Sequence, residues 1–219
     1  MSRSRHTCAL AGCVLALLVA CADEEPAASA CEPVQTGERV LLDGTAESLA
    51  RWRMAGPGSF EPQDDCSVRT VGGMGLLWFP EEFGSYRLSL DWKVTGDDNS
   101  GVFVGFPDPG DDPWVAVTEG YEIQIDATDA PDRTTGAVYG FQGADEEARD
   151  AALNPPGEWN TYVIEVDDPT ITVTLNGVVV NEFHSTDPDR DLSSGHIGLQ
   201  NHGDTDEVYF RDVRVAELG

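Results

Sequence analysis

Positive charge is scarce in this sequence of 219 residues, which has 13 Lys and Arg against 40 Asp and Glu. The formal net charge at pH 7 is −27. A surface this acidic repels polyanions, which argues against nucleic acid as a partner. It suits a neutral ligand, a divalent cation or solubility in salty surroundings.

Cysteine is also sparse, and three of the five cysteines fall within the first 21 residues. Two arginines and an apolar run from Ala9 to Ala20 precede Cys21, and the run ends in Leu18-Val19-Ala20. This order is typical of a lipoprotein signal peptide, which is cut before a cysteine that then carries lipid. We therefore expect residues 1–20 to be the signal. The exported protein would be anchored to the bacterial cell membrane through Cys21, with a secreted or periplasmic protein as the alternative.

The segment after the predicted anchor lacks large apolar side chains almost entirely. Residues 21–37 therefore indicate a flexible tether, and the folded domain is expected to occupy 38–219. Beyond the signal and the anchor, the cysteines that remain are Cys31 and Cys66. In an exported domain they favour one disulfide, which would pin the tether to the domain, although two free thiols are the alternative.

Helix-forming stretches are few, and only 46–51 and 145–153 are candidates. Short runs rich in aliphatic and aromatic residues recur instead, with Gly, Pro, Asp or Asn between them. They predict ten strands, at 40–42, 75–79, 86–94, 101–106, 121–125, 161–166, 171–175, 178–183, 195–200 and 208–215. This spacing predicts an antiparallel sandwich or barrel. Asn176-Gly177 between two of the runs predicts a two-residue type I′ hairpin, because both residues tolerate positive φ.

The segment 120–126 is the focus of the predicted site. On a strand its three apolar residues face one side, while Glu122, Gln124 and Asp126 face the other. A row of polar groups on an otherwise apolar strand is costly unless the groups meet water, partners or a ligand. One face therefore predicts core packing and the other predicts binding or catalysis.

Several phrases along the chain resemble one known family, the 3-keto-disaccharide hydrolase domain, from about residue 40 to 218. They include Leu41-Leu42-Asp43-Gly44, Asn99-Ser100-Gly101-Val102-Phe103 and Gly120-Tyr121-Glu122-Ile123-Gln124-Ile125. Others are Thr135-Gly136-Ala137-Val138-Tyr139-Gly140 and Gly195-His196-Ile197-Gly198-Leu199-Gln200-Asn201-His202-Gly203. The chain departs from the family pattern at residues 59–68, where members usually have a short Trp-containing strand.

The resemblance implies an all-β fold, a concanavalin A-like jelly-roll sandwich of two antiparallel sheets with a sugar groove on the concave sheet. It also implies an exported bacterial protein that acts on glycosides oxidised at the 3-position of the sugar. We identify Glu122 and His202 as candidate catalytic residues. The candidate substrate-binding residues are Asn99, Gln124, Asp126, Tyr139, Gln200, Trp78 and Arg211.

The implied reaction explains why these residue types are needed. A ketone at C3 acidifies the proton on C2, so that a base can remove it and the group on C1 can leave. Glu122 and His202 are the expected base and acid, in either order. A divalent cation is an alternative way to stabilise the enolate, but no tight metal-ligand spacing such as paired His at i and i+4 is present, so the metal assignment stays open.

Two other functions fit the same residues. The Glu122-x-Gln124-x-Asp126 strand resembles the Glu-x-Asp-x-Glu strand of family 16 glycoside hydrolases, which use a retaining mechanism. Residues four apart on a strand are about 13 Å apart at Cα. A retaining pair needs its carboxyl groups at about 5 Å, which a short Asp reaches with difficulty. The other alternative is a carbohydrate-binding surface module without catalytic activity.

Overall fold

The computed structural model describes Cys31 and residues 37–219. The predicted signal peptide, Cys21 and all of the tether except Cys31 and Gly37 lie outside the described residues. The strands are β1 (Arg39–Leu42), β2 (Arg53–Ala55), β3 (Ser59–Pro62), β4 (Val68–Val71), β5 (Gly75–Trp78), β6 (Tyr86–Val94), β7 (Ser100–Phe106), β8 (Tyr121–Ile125), β9 (Asn160–Asp167), β10 (Thr170–Leu175), β11 (Val178–His184), β12 (His196–Asn201) and β13 (Val208–Glu217). The helices are α1 (Ala46–Leu49), α2 (Trp114–Glu119) and α3 (Glu146–Ala152), with a 3-10 turn at Pro131–Arg133. Among the described residues, no helix is both long and apolar enough to cross a membrane.

The strands form two antiparallel sheets that pack face to face. The larger sheet has eight strands in the order β11-β10-β9-β6-β13-β4-β3, with β1 paired to β13. The smaller sheet has five strands in the order β2-β5-β12-β7-β8. The predicted all-β sandwich is therefore confirmed.

All ten predicted strands are present, with ends that agree within two residues, and both predicted helices form. The Asn176-Gly177 hairpin is also confirmed, because Leu175 pairs with Val178 and both turn residues have positive φ, at 48° and 85°. The prediction missed β2, β3, β4 and α2. These elements are three to six residues long, so they show too little periodicity to be recognised.

The segment that departs from the family pattern, 59–68, supplies β3 and the start of β4 at the edge of the eight-stranded sheet. Cys66, between these two strands, forms a disulfide with Cys31. The bond joins the start of the described chain to this edge. It corresponds to the disulfide alternative, rather than to two free thiols.

The main core lies between the sheets. Tyr121, Ile123 and Ile125 of β8 point into it and are at most 1% exposed. Across the core, the Tyr162 hydroxyl on β9 donates a hydrogen bond of 2.7 Å to the Gln124 carbonyl oxygen. The buried face of β8 is thereby fixed to the opposite sheet.

A second apolar cluster lies on the other face of the five-stranded sheet. It consists of Leu76, Trp78, Phe103, Phe106, Ala55 and Ala116, of which Ala116 belongs to α2. The helix thus covers one part of this outer face. The remaining part stays open beside β8.

Candidate active site

A cavity of about 200 Å³ opens on the outer face of the five-stranded sheet. Its polar lining comes from six residues predicted from the sequence: Asn99, Glu122, Gln124, Tyr139, Gln200 and His202. The alternation along β8 places Glu122 and Gln124 here, opposite the core-facing residues of the same strand. The fold therefore brings together most of the predicted sugar-binding residues.

The register of three neighbouring strands sets the position of the Glu122 carboxyl. β7 runs between β8 and β12, and its Gly101 lies opposite Gln124. A Cβ atom on Gly101 would overlap the Glu122 side chain. The missing side chain lets Glu122 lie across β7 and form a hydrogen bond with Gln200 of β12. The space above Gly101 is therefore occupied by the Glu122 carboxyl group.

Burial is the main influence on the pKa of the Glu122 carboxyl, because Glu122 is only 8% exposed. Loss of hydration disfavours the ionised form and raises the pKa of the Glu122 carboxyl to about 8, while the hydrogen bond from Gln200 partly opposes this shift. With the Gln124 amide oriented to donate, its nitrogen lies 3.1 Å from Glu122 Oε1 and 3.3 Å from the Ser100 carbonyl oxygen. A carboxyl with this pKa exchanges protons near neutral pH.

Gln200 also offers a free acceptor. Its Oε1 atom is buried and has no hydrogen-bond partner in the described part of the chain. Buried polar atoms are nearly always paired, so this oxygen is suited to a ligand donor such as a sugar hydroxyl.

His202 lies at the rim of the cavity, with its side chain 47% exposed. Its Nδ1 atom is 2.8 Å from Asp206 Oδ2. The other oxygen of Asp206 accepts a hydrogen bond of 3.2 Å from the Asn99 backbone N–H. Asp206 thus orients the imidazole and ties it to the loop that carries Asn99. The sequence reasoning missed Asp206, although its i, i+4 spacing from His202 was the available signal.

Tyr139 reaches the cavity on a segment that turns back beside β8. Its backbone N–H donates to the Glu122 carbonyl oxygen at 2.9 Å, and the Gly136 N–H donates to the Gln124 carbonyl oxygen at 3.0 Å. Asn181, buried on β11, donates to the Gly136 carbonyl oxygen at 3.0 Å and to two further carbonyls of the same loop. The segment therefore extends the sheet by one irregular strand.

The remaining lining is mostly apolar, and the sequence reasoning did not identify it. It comprises Met74, Gly75, Leu76, Phe103, Pro113, Trp114 and Val117. The last three lie at or in α2, which begins just after the acidic loop 108–113. A Pro-Trp pair after an acidic loop was the only signal for this wall.

Trp78, predicted to offer its face to a sugar, does not line the cavity. It is 1% exposed. Its ring makes an edge contact with His196 at 4.9 Å between centroids, and the Arg53 guanidinium lies 5.3 Å from its centroid. Trp78 points to the outer face of the sheet, but its neighbours cover it there.

Arg211 and Asp126 also lie outside the cavity lining. Arg211 belongs to β13 of the other sheet, where it pairs with Asp91 at 3.0 Å and lies 3.9 Å from the centroid of the Trp159 ring. Its predicted sugar contact is therefore wrong. Asp126 follows the end of β8 and accepts a hydrogen bond of 2.9 Å from Asn99 Nδ2. Asp126 therefore lies beside the cavity and holds the Asn99 side chain by this hydrogen bond.

A divalent cation was one expectation from the sequence. Within Cys31 and residues 37–219, no group of three or more His, Cys, Asp or Glu side chains is arranged to hold a metal ion. The arrangement of His202 and Asp206 is a hydrogen-bonded pair.

Comparison with known proteins identifies a matching family and a protein of similar sequence. Residues 37–216 match the family model of the 3-keto-alpha-glucoside-1,2-lyase-like domain. A 3-keto-disaccharide hydrolase of Bacteroides thetaiotaomicron is 28% identical over 202 residues, covering 74% of this chain and 66% of that relative. The chain thus spans slightly less than two thirds of the relative's length.

Solved structures share the fold. A candidate glycosyl hydrolase of Parabacteroides distasonis is 26% identical with a TM-score of 0.62, covering 74% of this chain and 93% of that chain. A second from the same organism is 21% identical with a TM-score of 0.67, covering 82% and 93%. A carbohydrate-binding module of Bacillus subtilis is 11% identical with a TM-score of 0.54, covering 76% and 96%. At these identities, the last two support the fold alone. The family match spans nearly the whole described domain and confirms the resemblance read from the sequence: this chain belongs to the 3-keto-alpha-glucoside-1,2-lyase-like domain family.

Proposed function

We propose that this protein cleaves glycosides whose sugar carries a ketone at C3, by removing the proton from C2. The observation that carries the proposal is the buried carboxyl of Glu122 in the cavity, whose pKa is raised to about 8. A carboxylate of raised pKa is a stronger base than an exposed one, as the acidic proton of a carbon next to a ketone requires. Membership of the family and the name of the Bacteroides relative support the substrate class.

In this proposal Glu122 takes the C2 proton. The C2–H electron pair moves into the ketone to give an enolate, and then forms the C1=C2 double bond as the C1–O bond breaks. His202, oriented by its hydrogen bond with Asp206, gives a proton to the departing oxygen. Addition of water then places hydroxyl on C1 and a proton on C2, so the net reaction is hydrolysis.

The neutral polar groups of the cavity orient the sugar. Gln200 Oε1 accepts from a hydroxyl, since it is buried without another donor in the described residues. Asn99 and Tyr139 supply further hydrogen-bonding groups at the lining. The pocket thus combines one base, one acid and several neutral groups, which suits an uncharged sugar.

A family 16-like retaining mechanism has less support. Such a mechanism requires two carboxyl groups at about 5 Å on either side of the scissile bond. Glu122 lines the cavity, whereas Asp126 lies outside the lining and accepts a hydrogen bond from Asn99. The second carboxylate of a retaining pair is therefore absent from the cavity, among the residues that the structure describes.

The test follows the C2 hydrogen. The protein is incubated in D₂O with a 3-keto-glucoside and, separately, with the unoxidised glucoside. We expect the aglycone to be released from the 3-keto compound alone, with deuterium at C2 of the freed sugar above a no-enzyme control. Glu122→Gln should abolish both signals, whereas Glu182→Gln, on the exposed side of β11, should not.

Three results would contradict the proposal. Release without deuterium at C2 would indicate direct hydrolysis. Saturable binding without release would indicate a carbohydrate-binding module. With a nitrophenyl leaving group, which departs without a proton from His202, a rate that falls as the pH rises through about 8 would mean that Glu122 acts in its protonated form. A base must be ionised, so this rate should instead rise there.

We further propose that the protein is exported and held at the membrane by lipid on Cys21. The support is the N-terminal sequence, in which an apolar run ends in Leu18-Val19-Ala20-Cys21. Cys21→Ser should move the protein from the membrane fraction to the soluble fraction. Unchanged partitioning would contradict lipid anchoring.

A further inference from the structure

Trp114 differs from the other tryptophans in its surroundings. It is 52% exposed and lines the cavity, whereas Trp52, Trp78 and Trp92 are at most 6% exposed. Trp159 is covered by two cationic side chains, at 3.9 and 4.6 Å from its ring centroid. Within the described part of the chain, no aromatic ring or cation stacks on Trp114. An indole left half open at a cavity rim is an available apolar face.

The backbone beneath this ring is held in place. The Trp114 N–H donates to Asp112 Oδ1 at 3.0 Å. Ala116, two residues further along α2, is fully buried in the outer apolar cluster. Arg190 donates from the loop before β12 to the Val117 carbonyl oxygen at 3.3 Å. Because the helix is fixed at both ends, a ligand that stacks on Trp114 does not have to order the backbone first.

The size of the cavity limits what it can enclose. Its volume of about 200 Å³ lies below the roughly 300 to 1,000 Å³ of pockets for drug-sized ligands. One pyranose ring therefore fills the polar part, where Glu122 and Gln200 lie. A second ring joined to the first through C1 must lie at the opening, where the apolar wall rises.

We infer that Trp114 is the platform for the leaving-group sugar, and that the protein prefers disaccharides and larger glycosides to simple alkyl glycosides. The inference rests on the proposed cleavage of 3-keto-glycosides and specifies its substrate. The C–H groups of a pyranose face pack on an indole, while its hydroxyls stay in water at the rim. Pro113 and Val117 add to the apolar lining of the cavity beside Trp114 in the sequence.

The kinetic test compares two 3-keto-glucosides, prepared in both anomeric forms, that differ only in the leaving group. One leaving group is glucose and the other is methanol. Trp114→Ala should raise KM for the glucose conjugate about tenfold, in line with the loss of one stacking contact. It should leave KM for the methyl compound within about twofold, because methanol does not reach the indole. Trp114→Phe, which keeps a ring, should restore most of the loss.

A fluorescence titration tests binding without turnover, using Glu122→Gln and the glucose conjugate. Saturable quenching is expected, together with protection of one tryptophan from acrylamide. Replacing Trp114 by Phe should remove both signals, whereas Trp159→Phe, on the other sheet, should keep them. Equal loss for both substrates in Trp114→Ala, or quenching that survives Trp114→Phe, would overturn the inference.

The two proposals fail differently. If the wild-type protein releases no aglycone from either compound, the proposed reaction is wrong. The binding titration then decides whether Trp114 still carries a sugar. If both compounds are cleaved and Trp114→Ala treats them alike, the reaction stands and the platform is wrong.

Discussion

Glu122→Gln should make the protein more stable at alkaline pH while it removes activity. In the folded protein the pKa of Glu122 is raised by burial from 4.5 to about 8. At about 1.4 kcal/mol per pH unit, this difference corresponds to about 5 kcal/mol. Since the folded state holds the proton more tightly than the unfolded state, this contribution is fully present below pH 4.5. It is lost as the pH rises to about 8.

The free energy of unfolding should therefore fall with pH in the wild type more steeply than in Glu122→Gln. Between pH 5 and pH 9 the two titrations should diverge by about 4 kcal/mol, in favour of the variant at pH 9. A pH-independent offset is expected as well, because Gln and Glu differ in their hydrogen bonds with Gln124 and Gln200. The pH dependence of the difference, rather than its value at one pH, is thus the quantity to measure.

Urea unfolding followed by fluorescence, with the disulfide intact, gives this free energy at each pH. The series stops at pH 5, since a chain with 40 acidic and 13 basic residues loses its net charge as the carboxylates become protonated. Glu182→Gln is the matched control for an exposed Glu and should run parallel to the wild type. A difference between wild type and Glu122→Gln that stays constant within about 0.5 kcal/mol would refute the reasoning, because a buried carboxyl must show this linkage.

Three further substitutions test how the site is held. Gly101→Ala would push the Glu122 carboxyl away from its position above β7, and should lower kcat/KM about 100-fold and the free energy of unfolding by about 1–3 kcal/mol. Gly96→Ala, in open space, should change neither. Equal activity of the two variants would contradict the role of the gap. Asp206→Asn should lower kcat at least about tenfold, because Asp206 orients the His202 ring. The same substitution should change the tautomer of His202, which nitrogen NMR measures. An unchanged NMR signal would exclude an orienting role for Asp206. Asn181→Ala removes the side-chain donor of the Gly136 and Gly143 carbonyl oxygens, whereas the Gln142 carbonyl oxygen keeps the Val138 N–H. It should reduce the free energy of unfolding by about 2–3 kcal/mol in urea titrations, and a loss below about 0.5 kcal/mol would show that water replaces the amide.

The floor of the site could be predicted because it lies on regular strands. The period of two along β8 is a property of the backbone, so it assigns Glu122 and Gln124 to one face without further information. The same rule groups Gln200 with His202 at the end of β12. In these segments, local sequence and tertiary position are linked by geometry.

The errors come from contacts between elements that are distant in sequence. Trp78 points to the outer face of the sheet, yet Arg53 and His196 cover it. Alternation along one strand does not reveal which residues lie above that strand. The predicted sugar contact of Arg211 was wrong because periodicity does not reveal to which sheet a strand belongs. Asp206 was missed since its role depends on where two loops meet.

The separation between a strand-borne floor and loop-borne walls has a consequence for how this domain can diversify. The proposed base Glu122 and its neighbour Gln200 are held by strand pairing, whereas Trp114 and Asp206 are supplied by connecting segments. Exchange of the connection between β7 and β8 would alter which glycosides are accepted while the chemistry stays in place. This connection is therefore the part of the chain to randomise in a library designed to change substrate preference.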